Sequence, residues 1–80
     1  MMESNQIIIK LSKDEALVLF KFLSRFNEND NKEVFQDQAE EKALWIIEGE
    51  LQKILVEPFM PNYQDITKEA RNIIRDADVH

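Results

Sequence analysis

Apolar residues recur at every third or fourth position in three stretches of this chain, and this spacing constrains the fold more than any other feature. The stretches cover residues 13–28, 38–57 and 63–77. Because an α-helix turns ~100° per residue, apolar positions spaced in this way lie along one side of a helix. The sequence therefore predicts a mainly α protein with three amphipathic helices.

Residues typical of helix ends bound these stretches. Ser12 and Glu15 fit a capping box at the start of the first helix, in which each side chain bonds the backbone N–H of the other. Pro58 lacks the N–H that a helix needs and predicts the end of the second helix. Asn62 is placed to cap the third helix.

The start of the second helix has two candidates. Asp37 with Glu40, or Asp30 with Glu33, each provides a capping residue followed three positions later by a glutamate. The apolar pattern strengthens after Ala39. We therefore favour the later start.

A different pattern precedes the first helix. Residues 6–11 include Ile7, Ile8 and Ile9, and such a short β-branched run predicts one N-terminal β-strand. We find no second strand in the sequence for it to pair with. Two arrangements stay open: antiparallel pairing with the same strand of a second copy about a twofold axis, or an extended tail over the first helix without a ladder.

Length and composition predict a single small domain over residues 1–80. Eighty residues bury a thin core, and the absence of cysteine leaves no disulfide to reinforce it. Small domains of this kind often gain stability by association. The predicted core draws on the strand and all three helices: Ile7, Ile9, Leu11, Leu19, Phe20, Leu23, Phe26, Ala43, Ile47, Leu51, Ile54, Ile66, Ala70, Ile73 and Ile74.

The net charge of −6 is concentrated in the middle of the chain. Residues 28–57 hold nine acidic residues and three lysines, whereas the remainder is balanced. Such a segment repels nucleic acid and anionic lipid and favours basic partners. No apolar run is long enough to span a membrane and no signal-type N-terminus is present, so we expect a cytoplasmic protein.

The second helix carries a second, smaller face outside its predicted core side. Trp45 and Gly49 lie one helical turn apart on it, and both residue types occur only once in the chain. A mid-helix glycine costs ~0.5–1 kcal/mol relative to alanine, which indicates close approach of another chain segment. The predicted partner-binding residues are Trp45, Gly49, Glu41, Glu48, Gln52 and Val56.

Two interpretations of this face stay open. Trp45 can be covered within the molecule, by the N-terminal strand or by Phe59 and Met60, with Gly49 admitting that segment. Alternatively, Trp45 anchors a contact with another protein, since tryptophan is enriched in such anchors.

Signatures of catalysis and ligand binding are weak. His80 is the last residue, and the alternating Asn27, Asn29 and Asn31 lack the glycine and final glutamate of a calcium loop. A basic row of Lys68, Arg71 and Arg75 is interrupted by acids, which argues against nucleic-acid binding. We predict no catalytic residues, no metal and no cofactor.

Most of the chain, from Ile8 to Asp76, resembles a group of short bacterial proteins without an established activity. The segments that carry this resemblance are "LSKDEALVLFKFLSRFNEND", "DQAEEKALWIIEGELQKILVEPF" and "PNYQDITKEARNIIRD". The resemblance implies a free-standing bacterial protein and assigns no functional residue.

Two functions follow as hypotheses. The first is a non-catalytic acidic module, such as an immunity protein, antitoxin or inhibitor, that binds a basic protein through Trp45 and residues 28–57. The alternative is a self-associating structural or regulatory protein, a homodimer through the N-terminal strand or through the face of Trp45 and Gly49.

Overall fold

The computed structural model describes residues 5–29 and 32–77, and it is mainly helical. Helix α1 spans Lys13–Glu28, α2 spans Gln38–Ile54 and α3 spans Tyr63–Asp76. Short 3₁₀ turns occupy Lys32–Val34 and Glu57–Phe59. Helix α1 is central, since both α2 and α3 pack against it. The prediction of three helices is confirmed.

Two of the three helix starts follow the predicted capping chemistry. The Ser12 hydroxyl accepts a hydrogen bond from Glu15 N at 3.0 Å, and Ser12 N donates to the Glu15 carboxylate at 2.8 Å. Asp37 caps α2 by accepting from Ala39 N at 2.8 Å. Asn62 occupies the cap position of α3, but its side chain makes no capping hydrogen bond.

Helix α2 ends at Ile54, three residues before the predicted end. A proline ring clashes with the carbonyl of the residue four positions earlier, and for Pro58 that residue is Ile54. The cap residue Leu55 makes the last bond of the helix, from its N–H to Leu51 O at 2.9 Å. Pro58 lies at the start of the following 3₁₀ turn.

The predicted N-terminal strand is absent from the residues that the structure describes. Residues 6–11 belong to no helix or strand, and Ile7 is 87% exposed. A strand is stable only beside a hydrogen-bonding neighbour, and the described part of the chain contains no second strand. The assignment of Ile7, Ile9 and Leu11 to the core is therefore wrong for the single chain.

The observed core is smaller than predicted. Leu17, Phe20, Leu55 and Ala70 form one buried cluster, Leu23 is buried on the same helix as Leu17, and the hydroxyl of buried Thr67 donates to Gln64 O at 3.0 Å. Of the predicted helical core residues, Phe20, Leu23 and Ala70 are buried, and Leu19, Phe26, Leu51, Ile66 and Ile74 are partly buried. The remaining ones, Ala43, Ile47, Ile54 and Ile73, are exposed.

Candidate protein-binding surface

The side of α2 that faces α1 is narrower and more polar than the apolar pattern indicated. Leu44, Glu48 and Leu51 are partly buried and Leu55 is buried, at steps of four, three and four residues. These positions lie within ~60° of one another around the helix. Helix α2 itself contains no fully buried residue. It is thus held against α1 by a thin strip of side chains.

Glu48, which the sequence analysis predicted to bind a partner, belongs to this strip and is partly buried. Its carboxylate accepts a hydrogen bond from Asn27 Nδ2 at 2.7 Å and another from Ser24 Oγ at 3.1 Å, both on α1. A partly buried carboxylate needs such donors, because losing water without them is costly. The Glu48 carboxylate therefore links α2 to α1.

The rest of the predicted face of Trp45 and Gly49 stays open. Trp45 is 48% exposed, and Gln52 and Val56 are exposed. A Cβ atom added to Gly49 would meet no atom within 4 Å beyond the immediate helix backbone and chain neighbours. We call Trp45, Gly49, Gln52 and Val56 the Trp45 flank.

The segments that the sequence analysis proposed as an intramolecular cover for this face are themselves exposed. Ile7 and Ile8 of the N-terminal segment are exposed, as are Phe59 and Met60. No segment of the described chain lies close to Gly49. The glycine is therefore not explained by packing within the described chain.

Helix α2 also exposes an apolar surface that the sequence analysis assigned to the core. Ile46 is 64% exposed, Ile54 is 72% exposed, and Ala43 and Ile47 are exposed beside them. We call these four residues the outer α2 surface. The sequence already indicated such an exposed apolar surface, because the apolar positions of α2 cover more of the helix circumference than one neighbouring helix buries.

Ion pairs reduce the negative charge available on the central segment. Lys13 Nζ lies 2.7 Å from the Glu57 carboxylate, and this hydrogen bond, assisted by the backbone N–H of Glu57, lowers the pKa of Glu57 from its usual value of 4.5. Lys53 Nζ lies 3.2 Å from the Glu50 carboxylate. Glu41 is partly buried. In the described part of residues 28–57, the exposed acids without an ion pair are Glu28, Glu33, Asp37 and Glu40.

Residue types that ligate metals are not brought together in the described ranges. Residues 5–29 and 32–77 contain no group of three or more metal-ligating side chains placed to hold an ion. Of the alternating asparagines, Asn27 donates to Glu48, Asn29 Nδ2 donates to Arg25 O at 3.0 Å, and Asn31 lies outside the described residues, as does His80.

Across the described helices, none has the length and apolar character to cross a bilayer. Comparison with protein-family models, with curated proteins and with solved structures finds no match. The geometry of α2 is therefore the basis for assigning a function.

Proposed function

We propose that this protein acts by binding other protein chains and that its first partner is a second copy of itself. The observation that carries the proposal is the exposure of Ile46 and Ile54 on a helix that contributes no fully buried residue. Soluble monomers rarely expose contiguous apolar patches of more than a few hundred Å². A second copy placed on the outer α2 surface removes these side chains from water.

The N-terminal segment supports a second copy over an unrelated protein. Residues 6–11 belong to neither a helix nor a strand in the single chain, and Ile7 and Ile8 are exposed. Antiparallel pairing of this segment with its symmetry mate gives partners to the backbone N–H and C=O groups of alternate residues, which the described part of a single chain does not do. A twofold dimer needs only one self-complementary surface, because the same residues contribute from both sides.

Sedimentation equilibrium tests the proposal through Ile54→Lys. Ile54 is mostly exposed, so the substitution leaves the helical circular dichroism of the chain intact while placing a charge in the contact. We expect the unmodified protein to dimerise and the Ile54→Lys variant to be monomeric. The control is Ile73→Lys, at an exposed position of α3, and this variant should still dimerise. A monomeric unmodified protein would overturn the proposal, as would a dimer that Ile54→Lys leaves unchanged.

A basic protein partner is the second candidate, in the manner of an immunity protein, antitoxin or inhibitor. It is favoured by exposed carboxylates at and before the start of the helix that carries the half-exposed Trp45: Glu33 in the preceding 3₁₀ turn, Asp37 at the cap of α2 and Glu40 in its first turn. Exposed charge accelerates encounter with an oppositely charged surface, and an indole supplies buried area in the complex. Under this hypothesis the protein works in the bacterial cytoplasm.

Capture at low salt separates this candidate from self-association. We expect one specific basic protein to be retained by the unmodified chain and lost with Trp45→Ala or with Glu33→Lys combined with Glu40→Lys. Capture that neither variant weakens would exclude this surface. Ile54→Lys is the matched control, because it lies on the outer α2 surface rather than on the Trp45 flank.

A further inference from the structure

An apolar groove lies between α1 and α3, away from the surfaces of α2 discussed above. Val18, Leu19 and Phe22 of α1 and Ile74 of α3 supply its apolar lining, and its volume is about 440 Å³. Sites for small molecules usually have volumes of ~300–1,000 Å³ and a mostly apolar lining with a few polar groups. The groove is thus large enough for a small organic ligand.

Three cationic side chains line the same groove. They are Lys21 and Arg25 of α1 and Arg71 of α3. The Arg25 guanidinium carbon lies 5.5 Å from the centre of the Phe22 ring, so the charge lies beside the apolar lining. Lys21 Nζ lies 4.6 Å from the centre of the Tyr63 ring. Cations placed over aromatic faces remain available to an anion that approaches from solvent.

This groove is lined by more positive than negative side chains, whereas the chain as a whole is negatively charged. The protein has a net charge of −6, yet within residues 5–29 and 32–77 none of Lys21, Arg25 and Arg71 makes an ion pair with a carboxylate. Glu15, the one acid that lines the groove, already accepts a hydrogen bond from Ser12 N at 2.8 Å. Three cationic residues therefore line a mainly apolar groove with a single carboxylate beside them.

We propose that this groove binds an amphiphilic anion, specifically a free medium-chain carboxylate. The carboxylate pairs with Arg25 and Arg71, whose planar guanidinium groups can each donate two hydrogen bonds to it. The alkyl chain covers Phe22 and Ile74 and is removed from water. An inorganic anion would leave the apolar lining exposed, and a neutral alkane would leave the cations without a counter-charge.

Titration calorimetry with dodecanoate, below its micelle concentration, tests the site. We expect the unmodified protein to bind dodecanoate, and Arg25→Gln combined with Arg71→Gln to weaken binding about tenfold or more. Lys68→Gln combined with Arg75→Gln is the matched control, because it removes the same number of charges from α3 residues that do not line the groove. The control should bind as the unmodified protein does. Equal weakening by both double variants, or equal binding of the uncharged methyl ester, would overturn the proposal.

Methyl chemical shifts of the unmodified protein give a second measurement that does not depend on the variants folding. Dodecanoate should shift the methyl signals of Val18 and Ile74 and leave those of Ile54, on the outer α2 surface, in place. Shifts confined to Ile54 would overturn the proposal, because they would show that dodecanoate binds the outer α2 surface and not the groove. The absence of any shift at millimolar dodecanoate would do the same.

Discussion

Glu48 on α2 accepts a hydrogen bond from the side-chain amide of Asn27 on α1 at 2.7 Å, and this contact lies on the side of α2 that faces α1. The Ser24 hydroxyl donates to the same carboxylate at 3.1 Å. With Glu48 turned inward, Ile47 and Ile54 turn outward. The exposed apolar surface of α2 is thus linked to a polar contact between helices.

Replacing Glu48 with alanine should destabilise the fold. Glu48→Ala leaves the Asn27 amide and the Ser24 hydroxyl without their acceptor in a partly buried position, at a cost of about 1–3 kcal/mol in the free energy of unfolding. Urea denaturation measures this. Glu50→Ala is the control, since Glu50 is exposed and pairs only with Lys53, and it should cost about 0.5 kcal/mol or less. Equal costs for the two variants would contradict the role of Glu48.

Core and exposed positions should respond differently to truncation. Leu17 is 2% exposed within the central cluster, so Leu17→Ala should lower the free energy of unfolding by about 2–5 kcal/mol. Ile9→Ala, in the exposed N-terminal segment, should change it by about 0.5 kcal/mol or less under monomeric conditions. Thermal unfolding of dilute protein measures both, and a large effect of Ile9→Ala would show that the segment packs on its own chain.

Gly49→Ala should make the single chain more stable. The added methyl group meets no atom within 4 Å, and alanine is the better helix former by about 0.5–1 kcal/mol. The same methyl group would obstruct a chain that approaches the Trp45 flank closely. We therefore expect a higher melting temperature together with weaker capture of a partner held on this flank. A lower melting temperature would indicate a contact at Gly49 within the chain.

The ion pair of Lys13 and Glu57 predicts a dependence of stability on acid pH. The hydrogen bond from Lys13 lowers the pKa of Glu57 in the folded state below 4.5, so the carboxylate stabilises the fold above the unfolded pKa. This contribution is lost as the pH falls through the folded pKa. Carboxyl NMR titration should show the pKa of Glu57 rising towards 4.5 in Lys13→Met and staying low in the control Lys53→Met. An unchanged pKa in Lys13→Met would refute the assignment to Lys13.

The sequence allowed the helices to be predicted but not the orientation of α2. Both predicted helix caps form, one by Ser12 with Glu15 and the other by Asp37. Each depends only on residues two or three positions apart in the chain. The inward turn of Glu48 depends instead on Ser24 and Asn27, more than 20 residues earlier. A local apolar pattern contains no information about such donors, so it assigned the core side to Ile47 and Ile54.

The N-terminal strand shows a related limit of local patterns. The run of three consecutive isoleucines predicted a strand and no helix, and residues 6–11 belong to neither a helix nor a strand. Whether an extended segment becomes a strand depends on a neighbour, and the described chain supplies none. For Trp45, the helical spacing placed the indole away from the core side, and the side chain is half-exposed.

The distance between spin labels on two copies tests the proposed self-association most directly. The chain has no cysteine, so Lys42→Cys provides a single label site, exposed on α2. Each molecule then carries one label, and a dipolar signal arises only between copies. We predict one well-defined distance between labels, abolished by Ile54→Lys. The absence of a dipolar signal in the labelled protein, or a distance that persists with Ile54→Lys, would contradict association through the outer α2 surface.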